Sequence, residues 1–223
     1  LLDHPRSAAE AAAVVAPEAP ENFYDALQAL GLMFGRLEHL TEAANTLYAS
    51  YVSASMSEQQ RYFGTPYDAS PFRDDRQYLR QTRGWSGAKT TKHLQRAPLV
   101  THTPGGDPNV WSSHPTYPAV AESFTSGRLS AENLDRIITI DEKLTDYAVA
   151  VQVDPRYAEA AMAAWDDTLA AVAAQNAPEA FTRTTTDWIN TITQNMCPDG
   201  PPIAEALKKK PDNTLRMRSY TDG

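Results

Sequence analysis

The chain has 223 residues, 28 acidic and 20 basic side chains, a net charge of −8 and a mean hydropathy of −0.48. It is long enough to bury a core, and no window approaches the run of about 18 apolar residues that a membrane-spanning helix needs. The single cysteine, Cys197, excludes a disulfide framework and a zinc site built from several cysteines. We therefore expect a cytoplasmic protein without membrane contact.

Charge is unevenly distributed along the chain. Residues 1–70 carry a net charge of −6 and residues 104–223 a net charge of −7. The short segment between them, residues 71–103, carries seven basic and two acidic side chains. A local basic segment in an acidic protein is the charge pattern expected of a phosphate-binding surface.

A short alanine-rich helix is predicted over residues 6–16, followed by a long helix from about residue 22 to residue 60. The apolar positions of the long helix recur every three or four residues, with Thr41 as the one polar interruption. This heptad seam consists of Phe23, Leu27, Leu30, Phe34, Leu37, Ala44, Tyr48 and Tyr51. Two interpretations are open: the helix packs lengthwise on the rest of the domain, or it forms a homodimer through the seam.

Two short helices are predicted in the basic segment, at about residues 72–82 and 87–96, with Ser86 as the N-cap of the second. Several cations of the second helix lie three or four residues apart, so they share one face: Lys89, Lys92, His93 and Arg96. These side chains could neutralise phosphates. Alternatively, they pair with the acidic surplus of the flanking helices.

A helix starting at Pro118 is predicted to end at Gly127, which can adopt a positive φ, and Ser130 is a good N-cap for the next helix. Helix, glycine turn and capped helix form the helix-turn-helix pattern, although any pair of antiparallel helices gives the same pattern. Further helices are predicted from Pro155 to about Asn176 and from Pro178 to Met196.

The C-terminal segment is predicted to hold a short helix over residues 203–210 and a strand over 214–220, with Asp222-Gly223 as a hairpin turn. A single strand cannot satisfy the hydrogen bonds of its own backbone, so we expect its partner strand to follow Gly223.

The predicted fold class is mainly α, a multi-helix bundle with one long N-terminal helix. The predicted domains are an N-terminal helix and linker (1–21), a helical domain (22–200, with a sub-boundary near 64–71), and a linker with the first strand of a following element (201–223).

The sequence shows no catalytic constellation. None of the five histidines has metal-ligand spacing on a helix. His102 and His114 flank one loop and could converge with Asp107, but loop histidines at this spacing are more often ordinary polar residues. We therefore predict no catalytic site, no metal site and no cofactor in this chain.

Two stretches carry a family resemblance: G-W-S-x-x-x-T-x-x-H-L-x-x-A (Gly84–Ala97) and P-x-V-A-x-x-F-x-S-G-R-L-S-x-E-N-L-D-x-I (Pro118–Ile137). They resemble the domain of unknown function 222 family, the N-terminal part of actinobacterial 13E12 repeat proteins. The resemblance covers roughly Phe23–Gly223, and the C-terminal L-R-M-R-S-Y-T-D-G is similar to the strand and turn of that family.

In that family the helical domain commonly precedes an HNH nuclease module that holds a divalent metal, and this chain contains no such module. The resemblance implies a non-catalytic helical domain of an HNH endonuclease that binds or positions DNA. The predicted nucleic-acid-binding residues are Arg80, Arg83, Lys89, Lys92, His93 and Arg96. The alternative is a protein-interaction or dimerisation module that uses the helix over 23–51 and makes no nucleic-acid contact.

Overall fold

The computed structural model describes residues 23–63, 72–101 and 115–209, and within these ranges every regular element is a helix. The prediction of a mainly α protein with a long N-terminal helix is confirmed. In chain order the elements are α1 (Phe23–Phe63), α2 (Asp75–Arg83), α3 (Gly87–Val100), α4 (Pro118–Thr125), α5 (Ala131–Ala150), α6 (Arg156–Ala164), α7 (Asp166–Gln175), α8 (Pro178–Met196), α9 (Ile203–Ala206) and a 3₁₀ turn (Leu207–Lys209).

Several predicted features lie outside the described residues. These are the helix over 6–16, the sub-boundary near 64–71, the loop with His102, Asp107 and His114, the strand over 214–220 and the turn at Asp222-Gly223. None of the helices in the described ranges is both long and apolar enough to span a bilayer.

The chain divides into two compact units, Leu1–Glu38 and His39–Gly223, and the boundary falls inside α1. In the first unit the described residues are the N-terminal part of α1. The second unit holds the rest of α1 and the helices α2–α9.

Helix α5 is the centre of the second unit. It packs against α3, α4, α6, α7, α8 and α9. One side of α5 places Leu134, Ile137, Leu144 and Tyr147 in the interior, each at most 1% exposed. Spacings of three and seven residues put these side chains on one face, and burying large apolar side chains is the main driving force for this packing.

The predicted link between α4 and α5 is formed as expected. Gly127 has a φ of 72°, which suits glycine, and the carbonyl of Ser123 accepts hydrogen bonds from the N–H groups of Arg128 and Leu129. The hydroxyl of Ser130 caps α5 by accepting from the N–H of Asn133. This helix, turn and helix position the face of α5 that meets α3.

The prediction of one helix from Pro155 to Asn176 is wrong, because the chain breaks at Trp165 between α6 and α7. The N–H of Trp165 bonds to the carbonyl of Met162, three residues back, which tightens the turn. The carboxylate of Asp166 then caps α4 by accepting from the N–H groups of Ala119 and Val120, at 2.7 and 3.0 Å. This cap, made by a residue of a different helix, accounts for a break that the alanine-rich sequence does not predict.

Helix α3 also runs further than predicted, past Pro98 to Val100. Proline removes a hydrogen bond from a helix interior, at a cost of about 3 kcal/mol. Here Leu99 and Val100 are buried in the core, and the N–H of Thr101 closes the last turn on Ala97. Burial of the two apolar side chains offsets the local cost.

Candidate functional site

The six predicted nucleic-acid-binding residues lie on two consecutive helices. Arg80 and Arg83 belong to α2, which ends at Gly84 with a φ of 64°. The other four belong to α3, whose N-terminus is capped by the hydroxyl of Ser86. The structure separates the six by burial: His93 and Arg96 are buried, Lys89 is half-buried, and Arg80, Arg83 and Lys92 are exposed.

Arg96 lies between three helices. Its Nε and Nη2 donate to the two carboxylate oxygens of Asp135 on α5, at 2.6 and 2.8 Å, and its Nη1 donates to Glu42 Oε2 on α1, at 2.9 Å. The guanidinium is only 5% exposed, while the two carboxylates are 29% and 25% exposed. A planar guanidinium held by paired hydrogen bonds on one side and a third on the other fixes the relative orientation of all three helices.

Two lysines of α3 complete the cluster. Lys89 Nζ lies 3.4 Å from Glu42 Oε1, and Lys92 Nζ lies 3.5 Å from Asp135 Oδ2. We call Glu42, Lys89, Lys92, Arg96 and Asp135 the Arg96 cluster. Three cations share two carboxylates there, so most of the positive charge of this face is neutralised within the protein. The pairing interpretation is thereby confirmed for these three cations.

The titration behaviour of the Arg96 cluster follows from its contacts. Burial alone would raise the pKa of Glu42, but the hydrogen bond from Arg96 and the charges of His93, Lys89 and Arg96 lower it. Burial alone would lower the pKa of Arg96, and its hydrogen bonds and charge attraction with Asp135 and Glu42 raise it. The pair Arg96–Glu42 therefore stays charged across the physiological range.

His93 is fully buried beside the cluster. Its Nδ1 lies 2.9 Å from the hydroxyl of Thr46, and its ring packs on Trp85 with centroids 4.6 Å apart. Burial lowers the pKa of His93 to about 4, opposed by the charge of Glu42 and assisted by Arg96 and Lys89. His93 is neutral at pH 7 and brings no charge to the surface.

Arg83 contacts aromatic rings. Its Cζ lies 5.3 Å from the ring centroid of Tyr48 and 5.7 Å from that of Trp85, and its Nη2 donates to Asn45 Oδ1 at 2.9 Å. The ring of Trp85 also lies 5.8 Å from Lys89 Nζ. Cation–π contacts of this kind hold the guanidinium in place without neutralising its charge.

The second helix of the predicted helix-turn-helix unit is acidic. Helix α5 carries two basic side chains, Arg136 and Lys143, against five acidic ones: Glu132, Asp135, Asp141, Glu142 and Asp146. It also packs on neighbours from α3 to α9. A central, acidic helix is poorly suited to entering a major groove, which is lined by phosphates.

The heptad seam is the second candidate surface. In the second unit, α1 packs through a different face, because its buried residues are Ala43, Asn45, Thr46, Ala49 and Val52. The seam positions Ala44 and Tyr51 are exposed there, Tyr51 by 72%. In the first unit the seam residues Phe23, Leu27, Leu30, Phe34 and Leu37 are 48–72% exposed. The lengthwise-packing interpretation thus holds for the C-terminal part of α1, where, among the described seam residues, the half-buried Tyr48 is the one that packs on the core.

Sequence reasoning missed the carboxylates that organise the site. Glu42 lies 54 residues before Arg96 and Asp135 lies 39 residues after it. The one available signal was the acidic surplus of the flanking segments, which does not identify individual partners. Among the described residues, no group of three or more His, Cys, Asp or Glu side chains is placed to hold a metal ion.

Replacing Arg96 by Met should destabilise the protein by about 3 kcal/mol, because Glu42 and Asp135 would then face each other without their shared cation. Their partial exposure keeps the loss at the lower end of the range for breaking a buried ion pair. Urea unfolding measures the difference. Arg128→Met is the control, because the Arg128–Glu122 pair is solvent-exposed and should contribute at most about 1 kcal/mol. Equal losses for both variants would contradict a structural role for Arg96.

The protein should lose stability as the pH falls from 6.5 towards 4. In this window the unfolded chain binds a proton at His93, whose ordinary pKa is 6.5, whereas the folded protein does not until about pH 4. The slope from this one group is at most about 1.4 kcal/mol per pH unit. His93→Gln should flatten the dependence of the urea midpoint on pH.

The control for that measurement is His39→Gln. His39 is half-buried and its Nδ1 lies 3.3 Å from the carbonyl of Gly127. This variant removes a histidine that lies outside the contacts of His93, so a change seen in both variants would not be specific to His93. A wild-type slope in His93→Gln would show that His93 is not the titrating group.

No family model matches the chain, and comparisons with curated proteins and with solved structures give no match either. The resemblance to the domain of unknown function 222 family therefore stays a prediction.

Proposed function

We propose that this chain is a non-catalytic helical interaction module that associates with a second copy of itself through the N-terminal part of α1. The observation that carries the proposal is the exposed apolar face of residues 23–38. Large apolar side chains that the fold leaves in water are the usual mark of a protein interface.

The exposed face is a continuous stripe. At 100° per residue, Leu27, Leu30, Phe34 and Leu37 all point within about 40° of the direction of Phe23. Tyr24 and Met33 flank the stripe and are 78% and 69% exposed. Together these side chains present on the order of 900 Å² of accessible surface, close to the 800 Å² or so that each partner buries in a standard interface.

The pattern favours a second copy of α1 as the partner. Alternating spacings of four and three residues form the seam that two identical helices use when they pack at a shallow angle. Four of the flanking positions hold Tyr24, Ala26, Gly31 and Met33, and only the last, Glu38, is charged, so the stripe shows little electrostatic preference for a different chain. A wide apolar stripe is also compatible with more than two helices in the assembly.

Phe34→Glu should convert a concentration-dependent oligomer into a monomer, because the new carboxylate would lie at the centre of the interface. Sedimentation velocity over a wide range of protein concentrations measures the assembly state. Leu32→Glu is a closely matched control: Leu32 is 69% exposed against 67% for Phe34, and it lies on the opposite side of the same helix.

Leu32→Glu should assemble like the wild type. A wild-type chain that stays monomeric at every concentration would refute the proposal. Equal dissociation of the Phe34→Glu and Leu32→Glu variants would also refute it, because the loss of assembly would then not depend on the stripe.

A second candidate function, DNA positioning for an HNH nuclease module, is favoured by a separate observation. Arg73, Arg76 and Arg80 are exposed, and their guanidinium groups have no carboxylate partner among the described residues. Arg76, Arg80 and Arg83 follow each other at spacings of four and three residues on α2, so they share one face. Such a row can contact phosphates without reading base sequence.

If α2 binds DNA, the Arg76→Ala/Arg80→Ala double variant should bind a DNA duplex more weakly and with less salt dependence. Each lost phosphate contact lowers the slope of log affinity against log salt by about 0.9. Fluorescence anisotropy at several salt concentrations gives this slope. Lys89→Ala/Lys92→Ala is the control, because these lysines already pair with Glu42 and Asp135. Absence of binding by the wild type would remove this candidate.

A further inference from the structure

A cleft between α7 and α8 forms a separate candidate site. Its volume is about 310 Å³, and its lining includes Trp165, Thr168, Val172, Thr185, Asp187 and Trp188. Small-molecule sites are concave and mostly apolar, with a few polar groups that set orientation, and they begin at about this size. The cleft lies in the second unit, and it involves neither the Arg96 cluster nor the heptad seam.

Two indole rings shape the cleft. The rings of Trp165 and Trp188 meet edge to face, with centroids 4.5 Å apart and an interplanar angle of 79°. Trp165 owes its position to the break between α6 and α7 and remains 37% exposed. An aromatic corner of this kind offers negative ring faces, which attract organic cations.

The threonines of α8 add acceptors and no donors. The hydroxyls of Thr184, Thr185 and Thr191 each donate to a carbonyl of their own helix, at 2.9–3.1 Å. Because a hydroxyl has one hydrogen, only the oxygen lone pairs are left for a ligand. A ligand rich in hydrogen-bond acceptors would therefore find no partner among these hydroxyls.

One carboxylate lies on the lining with its charge uncompensated. Asp187 is exposed and makes no hydrogen bond or ion pair through its carboxylate among the described residues. The surrounding segment, residues 166–196, carries four acidic side chains and one basic, Arg183. The local field therefore favours a cation over an anion.

We propose that this cleft binds a small organic ammonium ion. The indole faces of Trp165 and Trp188 contact its methyl or methylene groups, and Asp187 lies on the side of its positive charge. The ring faces, the threonine oxygens and the carboxylate of Asp187 favour positive charge, whereas a purely apolar pocket would show no such preference. The lining also holds one donor without a partner, the buried Nε1–H of Trp188. The cleft is independent of the dimer and DNA proposals.

The test compares choline with 3,3-dimethyl-1-butanol, a neutral molecule of the same shape, by ligand-observed NMR titration of the whole chain. Choline should bind about tenfold more tightly than the neutral molecule, since cation–π attraction depends on charge. Equal binding of the two would show a merely apolar cleft and overturn the proposal. Absence of choline binding would overturn it as well.

Variants assign the binding to the cleft. Asp187→Asn and Trp165→Leu should each weaken choline binding several-fold. Asp167→Asn is the matched control, because it removes the same charge from an exposed residue of α7 that does not line the cleft. Circular dichroism checks that each variant folds, and Asp187→Asn changes only an exposed side chain. Unchanged binding in Asp187→Asn, or an equal loss in Asp167→Asn, would contradict a site at this cleft.

Discussion

The ion pairs of Arg96 are the interaction on which the second unit depends. Burying a guanidinium is costly unless its N–H groups donate hydrogen bonds. Arg96 is only 5% exposed, and it donates three hydrogen bonds to the carboxylates of Asp135 and Glu42. These bonds join α1, α3 and α5 at one point. Because Glu42 and Thr46 must face inward to reach Arg96 and His93, the rotation of this part of α1 about its axis is fixed. With that rotation Ala44 and Tyr51 face outward. The buried guanidinium of Arg96 therefore determines which side of this part of α1 remains at the surface.

The same interactions change what the basic segment can do. In the sequence this charge is typical of a phosphate-binding face. In the structure, however, Lys89, Lys92 and Arg96 form ion pairs with carboxylates of two other helices, which neutralise much of that charge. Surface ion pairs of lysine are individually weak, yet they compete with any phosphate for the same ammonium groups. Among the described residues of this segment, the arginines left without such partners are Arg76, Arg80 and Arg83 on α2 and Arg73 just before it. The proposed interface through the apolar stripe of α1 and the proposed phosphate surface on α2 thus involve different residues, and they can be tested separately.

Much of the fold could be predicted because its signals are local. Apolar spacing located α1, α5 and α8, while Ser86, Ser130 and Gly127 marked helix ends through hydrogen bonds and backbone angles within a few residues. The errors arose where a distant contact overrode local preference. The break at Trp165 depends on Asp166, whose carboxylate caps α4 some 46 residues away, and α3 continues past Pro98 because Leu99 and Val100 reach the core.

The sequence by itself determined the helical class, most helix ends, the apolar stripe of α1 and the concentration of basic residues between 71 and 103. Each of these follows from residue type and spacing along one segment. Only the tertiary structure decided that His93 and Arg96 are interior, that Glu42 and Asp135 hold them, and that Trp165 and Trp188 enclose a cleft beside Asp187. The physical reason is that burial and charge pairing are properties of facing helices, and the partners involved are 20 to 60 or so residues apart in the chain.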